Sequence, residues 1–185
     1  QFNVWFQIAI DAEVNEANAM AISTISEEGT PRSRYVLFKD IVDNKLVFYS
    51  DYESSKGREM ENNPNISGLF FWPELHRQIR LEGVVSKTSD EVSDNYFASR
   101  PRGAQLSAIA SSQSTEIEGR ETVEDRIKEL EIEFEGKDIP RPDNWGGYAI
   151  DISFWEFWQG RRSRTHDRFI YVKNDNSWEI TRLSP

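Results

Sequence analysis

The sequence predicts a mainly β fold, an antiparallel β-barrel that is closed or nearly closed and carries peripheral α-helices. Three observations lead to this prediction: strand-like segments dominate the chain, most can pair with a neighbour in sequence, and the helical segments lie between them without regular βαβ alternation. A β-sandwich is the competing interpretation. The chain has 185 residues, enough to bury its own core, and we expect one domain over residues 1–185.

The predicted strands are runs of β-branched, aromatic and aliphatic residues that are bounded by turn residues. The turn Glu28-Gly29-Thr30-Pro31 closes the first run, and Asp43-Asn44 predicts a hairpin between the second and the third. In chain order the predicted strands are Ala19–Ser26, Tyr35–Lys39, Lys45–Ser50, Ile66–Trp72, Arg77–Lys87, Gly147–Trp158, Arg168–Val172 and Trp178–Leu183.

Four helices are predicted from apolar residues at helical spacing and from capping residues. Thr88, with Glu91 three residues later, forms a capping box, and Gly136 closes the last helix. The predicted helices are Phe2–Val14, Ser54–Asn63, Thr88–Arg100 and Thr122–Glu135. Their apolar stripes are Phe2, Trp5, Phe6 and Ala9 on the first helix, and Val123, Ile127, Leu130 and Phe134 on the last.

Composition excludes several classes of function. The net charge of −10 argues against a protein that binds a nucleic-acid backbone, and no apolar run approaches the length of a membrane span. Without cysteine, and with only His76 and His166, the chain offers neither a catalytic thiol nor a thiolate or histidine-rich metal site. Because the chain begins at Gln1 rather than Met, we expect further residues to precede it.

The basic residues are mostly arginine, 15 Arg against 7 Lys, and they occur in clusters. Arginine suits planar, bidentate contacts with anions, so basic pockets on an acidic body suggest small anionic ligands. Ion pairs at the surface are the alternative explanation. The clusters are Arg32 and Arg34, Arg77 and Arg80, Arg100 and Arg102, and Arg161, Arg162, Arg164 and Arg168.

The segment 162–168 is the most informative candidate site. If it is extended, Arg162, Arg164, His166 and Arg168 point the same way, and three guanidiniums beside an imidazole favour a bound anion. The same cations hold the histidine neutral, as a possible proton acceptor. Alternatively, the segment is a solvated turn whose charges pair with Asp167 and other carboxylates.

Other candidates carry weaker signals. Tyr96 and Arg100 lie four apart on one helix face and could hold a phosphate, although core packing and a favourable charge at the helix end explain them equally well. Arg34 and Lys39 are five apart and do not share a face of an ideal strand, so both reach one ligand only if it lies along the strand or a bulge intervenes. Ser54-Ser55-Lys56 suits either a phosphate or a simple N-cap.

Taken together, these segments resemble the pyridoxine (pyridoxamine) 5'-phosphate oxidase family of FMN flavoproteins. The resemblance covers about the whole chain, in the right order. The matching stretches are Arg34-Tyr-Val-Leu-Phe-Lys39, Glu61-Asn-Asn-Pro64, Arg77-Gln78, Tyr96-Phe-Ala-Ser-Arg-Pro-Arg102, Gln113-Ser114, Trp145-Gly-Gly147, Glu156-Phe-Trp-Gln-Gly160, Arg164-Thr-His-Asp-Arg168 and Arg182-Leu-Ser-Pro185.

The resemblance implies an FMN-binding split β-barrel and a homodimer with the flavin between the subunits. It implies that FMN is bound by Arg34, Tyr35, Val36, Leu37, Phe38, Lys39, Tyr49, Ser50, Ser55, Lys56, Gln78, Gln113, Ser114, Trp158 and Arg168. It implies that the substrate is bound by Lys39, Tyr96, Arg100, Arg164, Thr165 and His166, with Arg164 and His166 as the catalytic pair over the pyridine ring.

The implied activity is oxidation of pyridoxamine or pyridoxine 5'-phosphate to pyridoxal 5'-phosphate in the cytoplasm, with O₂ as acceptor and H₂O₂ as product. FMN supplies the redox chemistry, and the protein positions the reactants. Two alternatives stay open: a paralogous oxidase of the phenazine-biosynthesis type, which acts on another ring substrate, and a non-catalytic flavin-binding protein of the same fold.

Three positions depart from the family pattern. Ser55 stands where an arginine usually contacts the FMN phosphate, and such a charge-assisted contact is worth about 1.5–3 kcal/mol. Ala104 stands where a serine usually helps to bind the substrate phosphate, and Thr165 replaces a larger aliphatic residue. The first change bears on cofactor affinity and the other two on the choice of substrate.

Overall fold

The computed structural model describes residues 1–175 and 177–185. Within them, nine antiparallel strands form one sheet in the order β2-β1-β5-β6-β7-β4-β3, and β8 pairs with β7 and β9. The strands are β1 (Ala19–Ile25), β2 (Pro31–Leu37), β3 (Asp40–Val42), β4 (Lys45–Asp51), β5 (Asn65–Trp72), β6 (Arg77–Lys87), β7 (Trp145–Gln159), β8 (Asp167–Lys173) and β9 (Trp178–Leu183).

The sheet curls back on itself because its two end strands, β2 and β3, are consecutive in the chain. Phe38 and Lys39 make the link: the Phe38 N–H donates to the carbonyl of Asn18, and the Lys39 N–H donates to the carbonyl of Val47 on β4, both at 2.9 Å. The prediction of a mainly β, antiparallel barrel with peripheral helices is therefore confirmed, and the sandwich interpretation is wrong because one continuous sheet is present.

Strand β7 organises the rest of the sheet. Its first half pairs with β4, from Trp145 opposite Asp51 to Ile150 opposite Leu46, and its second half pairs with β8. The other edge of β7 follows β6 along almost its whole length, with a bulge at Glu82. Because β7 is 15 residues long, it pairs with the barrel strand β4 at one end and with the β8–β9 hairpin at the other.

Alternate side chains of the strands fill the barrel interior, as the period of two in the sequence predicts. The first helix, α1 (Phe2–Asp11), covers the interior with its predicted stripe: Phe2 and Ala9 are buried, and the Phe2 ring meets those of Phe38 and Phe70 at 5.4 and 5.3 Å between centroids. A second, smaller core lies between the last three helices and the start of β7; its buried residues are Phe97, Leu106, Leu130, Ile139 and Trp145.

The helices are α1 (Phe2–Asp11), α2 (Ser55–Asn62), α3 (Asp90–Ser99), α4 (Arg102–Ala110) and α5 (Arg120–Glu133). Helix α4 was not predicted, because its segment buries only Leu106 and has no side-chain cap to mark its start. Among the helices of residues 1–175 and 177–185, none has the length and the apolar character needed to cross a membrane.

Two local predictions are wrong. The hairpin partner of β4 is Asp40–Val42 rather than Tyr35–Lys39, because Tyr35 pairs with Ala21 of β1 and the chain changes partner at Phe38. Helix α3 is capped by Ser89, whose hydroxyl accepts the N–H of Val92, and not by Thr88 in a capping box with Glu91.

Candidate functional site

A cavity of about 570 Å³ lies between β4 and the helices α3 and α4. We call it the Arg100 cavity. Seven residues that the sequence analysis singled out for cofactor or substrate line it: Leu37, Lys39, Tyr49, Ser50, Tyr96, Arg100 and Gln113. The rest of its lining is Asp51, Pro101, Ala104, Ser107, Ala108, Ser111 and Trp145.

Stacked aromatic rings form one wall of the Arg100 cavity. Tyr49 and Tyr96 lie almost parallel, with 3.7 Å between ring centroids, and Trp145 continues the stack 5.6 Å from Tyr49. Burial raises the pKa of Tyr49 to about 12, with a smaller contribution from Tyr96, so its phenol stays protonated at neutral pH. Gly147 allows the close packing, since a Cβ there would press on Thr88 and on the ring of Tyr49.

Arg100 has an incomplete set of partners in this cavity. Its guanidinium carbon lies 4.5 Å from the centre of the Trp145 ring, while Nη1 is buried without a hydrogen-bond partner among the described residues. Burial lowers its pKa. Asp51 lines the same cavity, but its carboxylate accepts from Glu53, Gln113 and Asn144. A buried donor without a partner is costly, so this arrangement suits an anionic ligand.

A cationic group built around Lys56 adjoins the cavity. Its Nζ donates to the hydroxyls of Ser50 and Ser54, at 2.8 and 3.0 Å, and to Oε1 of Gln113 at 2.7 Å. Burial and the nearby Arg34 lower the pKa of Lys56 to about 8. Its hydrogen-bond partners are all neutral, and the nearby carboxylates of Asp51 and Glu59 only partly offset the lowering of its pKa, so the Lys56 group suits an anionic ligand.

Ser54 is the N-cap of α2 and accepts the N–H of Gly57, so the N-cap interpretation of this segment is confirmed. The neighbouring Ser55 donates its backbone N–H to the Ser114 hydroxyl at 3.3 Å. This contact ties the predicted cofactor residues of α2 to those of the loop after α4. The N-cap role of Ser54 is compatible with a ligand bound beside Ser55 and Lys56.

A second group of predicted residues lies on the outer face of the sheet, where β6, β7 and β8 run side by side. We call this surface the Trp158 face; it consists of Gln78, Arg80, Glu156, Trp158, Arg168 and Pro185. Gln78 is opposite Trp158, and Trp158 is opposite Arg168 in the strand registers. The face is shallow and open, in contrast to the Arg100 cavity.

The segment 162–168 is not extended, so the prediction of four aligned basic side chains is wrong. Residues Arg162–Arg164 form a 3₁₀ turn, with Ser163 and Arg164 in the left-handed region at φ 56° and 61°. Left-handed backbone is unfavourable for residues other than glycine and often occurs at functional sites. Asp167 accepts from Arg161 and Arg182, which matches the ion-pairing alternative for part of the cluster.

His166 packs on the Trp158 face, with 4.6 Å between the two ring centroids. Its Nδ1 accepts the backbone N–H of Arg161 at 3.1 Å. A neutral imidazole that accepts at Nδ1 carries its proton on Nε2. The ring therefore offers a hydrogen-bond donor at Nε2.

Most of the predicted site residues thus belong to the Arg100 cavity, the adjoining Lys56 group or the Trp158 face, while Tyr35 and Val36 line a separate cavity against β1 and β5. Arg34 belongs to none of these linings: it pairs with Glu59 at 2.7 Å, close to Lys56. The Phe38 side chain is buried in the barrel core, which leaves only its backbone for a ligand. Glu59 and the aromatic wall residue Trp145 had no predicted role, because the residues that they contact in the fold come from distant parts of the chain.

Comparison with known proteins assigns two consecutive parts of the chain to family models. A family model described as pyridoxamine 5'-phosphate oxidase matches residues 6–133. A second, described as pyridoxine 5'-phosphate oxidase C-terminal dimerisation region, matches residues 145–185, which include Glu156, Trp158, Arg168 and Pro185 of the Trp158 face. The second match indicates a homodimer.

Curated relatives and solved structures agree with these matches. Proteins named pyridoxine/pyridoxamine 5'-phosphate oxidase from Burkholderia mallei (strain SAVP1) and Burkholderia thailandensis are 50% and 49% identical over 188 residues, covering 100% of this chain and 87% of each relative. The structure of PhzG from Burkholderia lata 383, in complex with tetrahydrophenazine-1-carboxylic acid, has a TM-score of 0.94 at 31% identity and covers 100% of this chain and 90% of that one.

An FMN-binding protein from Nostoc punctiforme, related to pyridoxamine 5'-phosphate oxidase, shares the fold, with a TM-score of 0.80 at 16% identity over 100% of this chain and 97% of that one. The split-barrel fold expected from the resemblance is confirmed by these structures. With matching sequence along the whole chain, this protein belongs to the pyridoxamine 5'-phosphate oxidase family.

Proposed function

We propose that this chain is an FMN-dependent oxidase that converts pyridoxamine 5'-phosphate and pyridoxine 5'-phosphate to pyridoxal 5'-phosphate, with O₂ as acceptor and H₂O₂ as product. With the amine substrate, water supplies the aldehyde oxygen and ammonia is released. The observation that carries the proposal is the Arg100 cavity, which brings together Lys39, Tyr96 and Arg100. The buried Nη1 of Arg100 has no partner among the described residues, and a substrate phosphate would supply one.

The residues present also fit a flavin mononucleotide, the cofactor that membership of the family implies. Lys56, with the nearby Arg34, would hold its phosphate. This group retains two cations without the usual arginine at position 55. Gln78, Trp158 and Arg168 would contact the cofactor from the Trp158 face.

A homodimer explains why the two groups are separate within one chain. Gly146 is paired with Ser50 beside the Arg100 cavity, and Trp158 lies twelve residues further along β7, about 40 Å of extended strand. One small ligand reaches both groups if the Trp158 face of one subunit covers the cavity of its partner. We propose that FMN binds at this junction.

The residues of both groups would hold FMN, which would supply a two-electron acceptor for oxidation at the C4' carbon of the substrate, with O₂ as the final acceptor. The protein orients the reactants. Lys39 and Arg100 would fix the substrate phosphate, and the left-handed turn at Arg164 would present that guanidinium to the pyridine ring.

The role of His166 follows from its tautomer. With Nδ1 already occupied by the Arg161 N–H, neutral His166 donates a hydrogen bond from Nε2 and has no free nitrogen to accept a proton. We therefore assign it to orienting and polarising the substrate. Accepting a proton would require the Arg161 contact to break.

A second candidate function is oxidation of a larger ring, as in PhzG. Two observations favour it: the structural match to PhzG, and Ala104, which lines the cavity without a hydrogen-bonding group where the family usually has serine. The relatives at 50% identity, and the cationic character of the cavity, favour the phosphorylated pyridine substrate.

The deciding experiment is anaerobic reduction of the FMN-loaded protein by each candidate substrate. The loss of flavin absorbance measures the reduction. We expect bleaching by pyridoxamine 5'-phosphate and pyridoxine 5'-phosphate, and much less by pyridoxamine, which lacks the phosphate. Bleaching by a tetrahydrophenazine carboxylate alone would support the second candidate. A yellow protein that none of these compounds bleaches would support the non-catalytic alternative and contradict our proposal.

A further inference from the structure

Two buried glutamates each bridge a pair of arginines. In one group, the carboxylate oxygens of Glu59 on α2 lie 3.1 Å from Nη1 of Arg32 and 2.7 Å from Nη2 of Arg34. Thr24, fully buried, donates its hydroxyl to the same carboxylate at 2.5 Å. The Glu59 carboxylate thus accepts from three named partners, one on Oε1 and two on Oε2.

The second group has the same design on different elements. The carboxylate oxygens of Glu156 on β7 lie 2.7 Å from Nε of Arg168 on β8 and 3.1 Å from Nη2 of Arg80 on β6. The two glutamate side chains are equally buried, each only 6% exposed. The arrangement therefore occurs twice in unrelated surroundings, once between a helix and a strand and once across three strands.

Each group continues outward to an exposed glutamate. Arg32 lies 3.6 Å from Glu28, and Arg80 lies 3.4 Å from Glu82, whose side chains are 71% and 50% exposed. We call these alternating sets the Glu59 chain (Glu28, Arg32, Glu59, Arg34) and the Glu156 chain (Glu82, Arg80, Glu156, Arg168). Each ends on an arginine to which the proposed function gives a contact with FMN.

Stability alone is a poor reason for these buried charges. Removing two ions from water costs free energy that their attraction often only balances, and apolar residues of similar volume commonly serve a fold as well. A guanidinium held at one edge by a carboxylate is, however, fixed in orientation. Arg34 also donates from Nη1 to Thr24 and to the Arg32 carbonyl, and Arg168 donates from Nη1 to the Ser184 carbonyl, so the remaining N–H groups of each are those left for a ligand. Such outer contacts commonly set the affinity of a binding site.

We propose that Glu59 and Glu156 are positioning residues of the cofactor site, and that each holds one arginine, Arg34 or Arg168, in the orientation that FMN requires. The inference rests on the proposed function, since it takes FMN as the ligand. The two glutamates act on opposite halves of the site: Glu59 beside the Lys56 group, and Glu156 on the Trp158 face.

An effect of total charge and an effect of arginine position predict opposite changes in FMN affinity when either glutamate is neutralised. Glu59→Gln and Glu156→Gln each remove a negative charge close to the site of an anionic cofactor. If only the total charge mattered, both variants would bind FMN more tightly. If the carboxylate positions the arginine, both bind FMN more weakly despite the added positive charge.

The experiment titrates the full-length apo-protein of each variant with FMN and follows the quenching of flavin fluorescence. Glu28→Gln and Glu82→Gln are the matched controls, because they remove the same charge from the exposed ends of the same chains. We expect the dissociation constant to rise about tenfold or more for the two buried variants and less than about twofold for the controls. The unfolding midpoint of each apo-protein is measured in parallel.

Aspartate variants at both positions provide the second measurement, and they decide the question if a glutamine variant does not fold. Glu59→Asp and Glu156→Asp keep the charge but shorten the side chain, so positioning predicts weaker FMN binding here too. Unchanged or tighter FMN binding by the glutamine variants, or by the aspartate variants if these alone fold, would overturn the inference. A wild-type chain that binds no FMN would instead overturn the proposed function.

Discussion

The Arg100 cavity and the Trp158 face differ in how complete they are within one chain. The cavity is bounded by β4 and two helices, and its Arg100 guanidinium lies against the Trp145 ring. The face is an open strip of sheet with three predicted cofactor residues, of which Trp158 and Arg168 lie in the segment that matches the dimerisation region. Under the proposed function, one subunit preforms the cavity half of the shared site and its partner supplies the face half.

The largest expected effect concerns Arg164, which lies in the turn just before His166 of the Trp158 face. Replacing Arg164 with alanine removes the guanidinium proposed to orient the pyridine ring, and we expect turnover to fall by about 100-fold while FMN remains bound. Steady-state rates and the flavin-to-protein ratio measure the two effects. Arg162→Ala, in the same exposed turn, is the control. Loss of flavin from Arg164→Ala would show that our assignment of this residue is wrong.

The next effect concerns Arg100, on the cavity side. Arg100→Ala removes the charge proposed to bind the substrate phosphate, a contact worth about 1.5–3 kcal/mol, so we expect kcat/KM to fall by about 10- to 150-fold. The loss should appear mainly in KM for the phosphorylated substrate. Arg102→Ala is the control, since Arg102 donates to backbone carbonyls of the Phe134–Lys137 segment. An unchanged KM would show that Arg100 does not bind the substrate phosphate.

The pH dependence of FMN binding tests whether the Lys56 ammonium binds the cofactor phosphate. Because the pKa of Lys56 is lowered to about 8, the ammonium is charged at pH 7 and largely neutral at pH 9. A phosphate prefers the charged form, so FMN affinity should fall as the pH rises through this range. Lys56→Met should bind FMN more weakly at pH 7 and lose most of this dependence. A wild-type affinity that is constant from pH 7 to 9 would contradict the assignment.

The smallest expected effect comes from restoring a family residue. Ala104→Ser adds a hydroxyl to the lining of the Arg100 cavity, and one hydrogen bond contributes about 0.5–1.5 kcal/mol. We expect KM for pyridoxamine 5'-phosphate to fall about two- to tenfold with little change in kcat. Ser99→Ala, whose hydroxyl donates to the Tyr96 carbonyl, serves as a control near the helix end. A rise in KM would favour a substrate other than the phosphorylated pyridine.

Sequence periodicity predicted the parts of the fold that local residues determine. Strand β6 has the predicted bounds, and the stripe on α1 faces the core, because alternation and helical spacing are local properties. The hairpin partner of β4 was wrong, since the change of strand partner at Phe38 depends on barrel closure. Helix α4 was missed because its one buried side chain gives no periodic signal.

The site was less accessible to reasoning from residues alone. Spacing placed Tyr96 and Arg100 on one helix face, and both line the cavity. The alignment of the segment 162–168 failed because the left-handed turn at Ser163 and Arg164 carries no sequence signal such as glycine. The buried glutamates Glu59 and Glu156 depend on contacts between distant elements, which only the fold reveals.

The most direct test of the shared site is subunit complementation between a cavity variant and a face variant. Arg100→Ala and Arg168→Ala are purified separately, unfolded and refolded together, and the mixture is assayed with pyridoxamine 5'-phosphate. If the cavity of one subunit and the face of its partner form each site, every mixed dimer contains one intact site, and about a quarter of wild-type activity should return. If activity stays at the level of the separate variants in a mixture shown to contain mixed dimers, each site lies within one chain and the account is contradicted.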